Sequence, residues 1–147
     1  MSGEMQGLYQ QVILDHAKER HGFGLTETSD AHSHQVNPTC GDEITLQLHV
    51  DGDVIGSLTW EGQGCAISQS SASLLSDLVP GLTTAELSER IDVFRVAMRS
   101  KGTIEPDEEL LGDAVVLGGA SKYIARVKCA MLAWVAAEDA LLQLRAR

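Results

Sequence analysis

A chain of 147 residues with a formal charge of −10 and an isoelectric point near 4.8 makes a poor partner for nucleic acid or an anionic membrane, since both demand a basic face. At this length roughly two-thirds of the unfolded surface is buried on folding, so one domain over residues 1–147 is expected, and a metal would serve function rather than hold the fold together. No apolar run approaches a membrane span. The first 25 residues contain Glu4, Asp15, Lys18 and Glu19 and no apolar h-region, so no secretory signal is visible and a cytoplasmic setting with reduced thiols is expected.

Residues 8–20 place Leu8, Tyr9, Val12, Ile13 and His16 at helical spacing, ahead of His21-Gly22-Phe23-Gly24. His16 on the apolar stripe reads as a packed, hydrogen-bonded histidine. A polar stretch to Asn37 reads as irregular, and His32 and His34 within it read as solvated side chains rather than ligands. From Glu43 the alternation is strict: Ile44, Leu46, Leu48 and Val50 share one face of a half-buried strand. Asp51-Gly52-Asp53 is a hairpin turn, and Val54, Leu58 and Trp60 continue with period two on the returning strand.

The pattern becomes helical over residues 65–78, with Pro80-Gly81 as the stop. The serines Ser68, Ser70, Ser71 and Ser73 on this helix are expected to bond back to the preceding turn. Thr83 with Glu86 is a capping box opening a helix that ends before Gly102. Residues 104–121, acidic and then glycine-punctuated, read as a loop with one short helix. The last helix, residues 126–144, carries Val127, Met131, Trp134 and Leu141 along one stripe. Strands first and helices afterwards predict an α+β fold with the helices on one face of an antiparallel sheet.

The three cysteines, Cys40, Cys65 and Cys129, each fall near the start of a predicted element. Counting back by twos from Val50 reaches Asp42 and then Cys40, so a strand extending that far would aim both side chains at the core. A carboxylate so placed needs a partner, and a divalent metal with a thiolate co-ligand supplies one. A strand beginning at Glu43 would instead leave Asp42 in solvent. Cys65 follows Gly62 and Gly64 and opens a helix, and Cys129 lies near Arg126 and Lys128; both settings are expected to favour the thiolate.

Four segments carry a resemblance that spans nearly the whole chain: residues 8–16 (LYQQVILDH), 37–42 (NPTCGD), 64–68 (GCAIS) and 125–134 (ARVKCAMLAW). Together they resemble SufU proteins, within the wider IscU and NifU-like scaffold fold. The resemblance implies a small antiparallel sheet of about three strands with helices on one face. It puts Cys40, Asp42, Cys65 and Cys129 on the family's four metal-ligand positions. Lys128 stands where IscU-like scaffolds have a histidine, and the interval from Cys65 to Cys129 is longer than theirs, with the helix after Thr83 in it. Both departures match the SufU branch.

That branch implies a zinc-dependent sulfurtransferase that takes persulfide sulfur from a pyridoxal-phosphate cysteine desulfurase of the SufS type and serves downstream iron–sulfur assembly proteins. Cys40, in a Pro- and Gly-containing loop that could swing, is the expected acceptor, and Arg126 a candidate for docking the desulfurase. The alternative is a scaffold holding a [2Fe-2S] cluster, for which three thiolates and one oxygen ligand would also serve.

Overall fold

The strict alternation after Glu43 becomes the central strand of a three-stranded antiparallel sheet in the computed structural model, which describes residues 3–146. The element order is α1 (Gly3–Glu19), β1 (Ala31–Asn37), β2 (Asp42–Asp51), β3 (Val54–Gln63), α2 (Ala66–Leu78), α3 (Thr84–Arg99), α4 (Glu108–Leu111), a 3-10 helix (Gly112–Lys122) and α5 (Ile124–Arg145). Ile44, Leu46 and Leu48 of β2 are buried, together with Leu58 and Trp60 opposite them on β3. Each such side chain contributes roughly 1.5–3 kcal/mol on leaving water.

Two expectations are corrected here. The stretch before Asn37 is not wholly irregular, because its last seven residues form β1, paired with β2 from Ala31↔Leu48 to Asn37↔Asp42. Its inward positions are small or polar: Ala31, Ser33 and Asn37. Ser33 is buried because its hydroxyl donates to Asp139 on α5 at 2.7 Å. On β3 the inward residue nearest the hairpin is Ile55, while Val54 is exposed. The register jumps from His49↔Ser57 to Val50↔Ile55, so Gly56 is an extra residue, and this bulge reverses the phase on its far side.

The helices stack on this sheet. α5 packs against β1 and β2 on one side and against α2, α3 and the 3-10 helix on the other. Its expected stripe is therefore widened: Ala130, Leu132, Ala133, Ala136, Ala137 and Ala140 are buried along with Met131, Trp134 and Leu141, as befits a helix enclosed on several sides. Trp134 stacks on Phe94 of α3 with ring centroids 3.9 Å apart. Its Nε1 donates to Ser71 Oγ at 2.9 Å, and that hydroxyl donates to Ala130 O at 2.6 Å.

α3 opens with the expected capping box, Glu86 N–H donating to Thr83 Oγ1 and Thr83 N–H to Glu86 Oε1. Residues 104–121 are more ordered than expected. The short α4, with Leu111 buried, runs into the 3-10 helix, where Ala114, Val116 and Leu117 are buried. None of the described helices is long and apolar enough to cross a membrane.

Candidate metal and sulfur site

β2 begins at Asp42, so the carboxylate takes the inward phase of Ile44, Leu46 and Leu48 and is fully buried, with 0% of its surface exposed. Cys40 lies outside the strand. It sits on the turn joining β1 to β2, where Cys40 N–H and Gly41 N–H both donate to Asn37 O, at 3.3 and 2.9 Å, and Gly41 takes the left-handed φ of 72° that closes the turn. The strand-phase argument for Cys40 therefore fails, since the residue lies on the turn and is exposed rather than aimed at the core. The Cys40 and Cys129 sulfurs and an Asp42 carboxylate oxygen all lie within 4.8 Å of one another.

Cys65 is the N-cap of α2 and exposed. Its thiol falls outside that group of three and lies 3.9 Å from Ser68 Oγ, while its backbone N–H donates to Asp42 Oδ1 at 3.0 Å. Ser68, one turn into α2, bonds back to Cys65 O at 3.0 Å and lies 3.4 Å from the same Oδ1. Asp42 thus meets the positive end of α2 with one oxygen. Its other oxygen, Oδ2, is buried with no hydrogen-bond partner among the described residues. Gly64 makes this approach possible, since a Cβ there would collide with Asp42 Oδ1 and Ser68 Oγ.

Cys129 behaves otherwise than expected. It is buried in the second turn of α5 with 4% of its surface exposed, whereas Arg126 and Lys128 project into solvent. Burial first, and then Asp42, Cys65 and Cys40 beside it, push its thiol far above the ordinary thiol range. Without a cation this pocket opposes the thiolate. A divalent ion reverses that balance, because it is the largest local charge and deprotonates a coordinating thiol outright. An orphaned buried carboxylate oxygen converging with thiols is thus a donor set that fits zinc or an iron–sulfur centre.

The sequence pattern of the NifU-like N-terminal domain matches residues 8–130. The chain belongs to this family. Among relatives, this NifU-like domain is 38% identical to the zinc-dependent sulfurtransferase SufU of Bacillus subtilis (strain 168) over 93% of its own length and 91% of that protein. It is 36% identical to the iron–sulfur cluster assembly scaffold protein IscU of Streptococcus pyogenes serotype M1, over 94% and 85%. The crystal structure of a proposed iron–sulfur cluster assembly scaffold protein for the SUF system from Fervidobacterium islandicum AW-1 superposes with a TM-score of 0.80 at 34% identity, covering 95% of this chain and 99% of that one.

Other residues singled out in the NifU-like chain fall elsewhere. His32 and His34 are exposed on β1, and His34 Nε2 pairs with Glu43 at 3.0 Å. Arg126 is exposed with its guanidinium 5.2 Å from the Tyr123 ring centroid, beside the exposed Tyr123 and Ile124. Of the serines, Ser68 and Ser70 bond back as expected. Ser71 and Ser73 instead bond across to α5 and α1, because that face of α2 is buried between neighbouring helices. One neighbour of the site escaped sequence reasoning: Asn37, whose Nδ2 is buried with no hydrogen-bond partner among the described residues. Gly64 was legible as a glycine ahead of the helix start, though not the Asp42 carboxylate that it lets approach.

Proposed function

We propose that the protein is a zinc-dependent sulfurtransferase that accepts persulfide sulfur from a SufS-type, pyridoxal-phosphate cysteine desulfurase and passes it into iron–sulfur cluster assembly. The observation that carries this reading is the orphaned Asp42 Oδ2, buried beside two converging thiols. Cys40, Asp42, Cys65 and Cys129 would hold the zinc. When bound, zinc keeps its thiol ligands deprotonated at neutral pH.

Cys40 is the acceptor, because it is exposed on a turn, while Cys65, also exposed, is anchored at the start of α2 and Cys129 is buried in α5. Its thiolate attacks the outer sulfur of the desulfurase persulfide. A new S–S bond forms at Cys40, the bond to the desulfurase cysteine breaks, and that cysteine leaves as a thiolate with the electron pair, so no external oxidant is needed. Asp42 and Cys129 stay fixed by β2 and α5. Arg126 and the exposed Tyr123 and Ile124 offer a cationic and apolar surface for the desulfurase. A reducing compartment, the cytoplasm, suits three free thiols.

The test is desulfurase turnover with and without the chain. Wild type is expected to stimulate a cognate desulfurase and Cys40→Ala to abolish the stimulation; retained stimulation by the variant would overturn the assignment. A second reading, a [2Fe-2S] scaffold, is favoured by the identity to IscU and by the softness of the thiolate set. Protein purified without added metal separates the two: colourless with one zinc per chain for transfer, brown with iron and sulfide for scaffolding.

A further inference from the structure

We propose that His16, His21 and Asp77 form a second metal site, for a first-row divalent transition ion, at the far end of α2 from the cysteines. The three offer ligand atoms within 4.8 Å of one another. α2 carries Cys65 before its first residue and Asp77 in its last turn, which sets the two sites about 18 Å apart along the helix at 1.5 Å per residue.

Each imidazole is already oriented by a bond on its other nitrogen. His16, only 8% exposed, has Nδ1 at 2.7 Å from Ser73 Oγ, and its second nitrogen has no hydrogen bond among the described residues. His21 has Nε2 at 3.0 Å from Glu19 Oε1 and Nδ1 at 2.7 Å from Asp77 Oδ2. Ligating histidines almost always donate their other ring N–H to a carboxylate, backbone carbonyl or water; Glu19 fills that role for His21, and the Ser73 hydroxyl offers His16 an oxygen in the same place. The ion would take His16 Nε2, His21 Nδ1 and Asp77 Oδ2, with Ser73 and Glu19 as the supporting acceptors.

The segment carrying His21 is rigidly placed. His21 N–H donates to Ser73 Oγ at 2.8 Å, Trp60 Nε1 donates to His21 O at 2.8 Å, and Trp60 N–H donates to Gly22 O at 3.0 Å. Gly22 lies so close to α2 that a Cβ would run into Ser76 and Leu58 O. Supported rotamers on a fixed backbone are what a binding site requires. A protonated His21 held between Glu19 and Asp77 accounts for its own contacts, yet leaves His16, with its ring centroid 4.7 Å away, with a ring nitrogen that has no hydrogen bond among the described residues. An ion replacing the His21–Asp77 proton needs those two ligand atoms to part to about 3.3 Å, from ordinary bond lengths at the tetrahedral angle. Asp77 is half exposed and can yield that distance. Two imidazoles and one carboxylate are nitrogen and oxygen donors, so this end of α2 suits ions of borderline hardness and the cysteine end softer ones.

The experiment is a Co2+ titration of the metal-stripped full chain, followed by absorption and by bound metal per chain. Two ions are expected, one giving a sulfur-to-cobalt charge-transfer band and one giving only weak visible bands. His21→Gln and Asp77→Asn should each weaken the second event by at least about tenfold, the loss seen even for groups one bond further out, and leave the charge-transfer band unchanged. Ring-nitrogen NMR of the wild type with a second equivalent of Zn2+ should shift the His16 and His21 signals. A single ion per wild-type chain, a second ion indifferent to both substitutions, or unmoved histidine signals would overturn the proposal. The charge-transfer band reports the cysteine site independently, so either site can fail without the other.

Discussion

Replacing Asp42 with Asn should change sign with the metal. The substitution keeps an acceptor for Cys65 N–H, now at 3.0 Å from Oδ1, and removes the charge whose second oxygen is buried without a partner. An uncompensated buried charge costs several kcal/mol. The metal-free variant should therefore melt no lower than wild type. With zinc the order reverses. At free zinc about 1,000 times Kd, binding adds about 4.1 kcal/mol, and a variant bound about 100-fold more weakly keeps about 1.4 kcal/mol of it. The deficit of about 2.7 kcal/mol corresponds to about 5–10 °C in Tm for a chain of this size. Thermal melts of both proteins in chelator and in buffered zinc measure all four states. A variant destabilised equally in chelator and in zinc would refute the reasoning, since Asp42 would then act through packing and hydrogen bonding alone.

Further outcomes follow from neighbouring residues. Gly64→Ala should lower zinc retention and cost about 1–3 kcal/mol, read by metal analysis and denaturant melts, because its Cβ would displace Asp42 Oδ1 and Ser68. Bonds from Thr83, the backbone N–H foremost, hold the Glu86 carboxyl below its ordinary 4.5. Its contribution is thus present above that value and lost as pH falls through the lower folded one, so the stability difference between wild type and Glu86→Gln should shrink in acid unfolding curves. Arg126→Ala should leave stability within about 0.5 kcal/mol while raising the concentration of chain needed to stimulate the desulfurase, measured by turnover against chain concentration at low salt.

Where the sequence was legible, side chains followed one rule at a time. The capping box at Thr83, the stop at Pro80-Gly81 and the alternation of Ile44, Leu46 and Leu48 are local, and all three stand in the fold. β1 was hidden because its buried positions are Ala31, Ser33 and Asn37, whose burial depends on Asp139 more than 100 residues away and on pairing with β2. Val54 was misphased by one inserted residue at Gly56. The width of the buried face of α5 was hidden for a related reason: its alanines carry too little hydrophobic contrast to reveal enclosure by both the sheet and α3.

The site shows the same division and gives it a chemical meaning. Asp42 could be placed by counting, because β2 starts at that residue, and Cys65 by its helix start. Cys40 could not, because it sits one turn outside the strand that the counting assumed. That misplacement separates the donors into two kinds. Asp42 and Cys129 are buried in β2 and α5 and would move only with them, whereas Cys40 hangs on an exposed turn closed by two hydrogen bonds to Asn37 O. A purely structural metal site would gain from four rigid donors. One donor on a turn among fixed ones costs some affinity, an arrangement that suits the proposed sulfur transfer, in which that thiol would exchange its bond partner at each turnover.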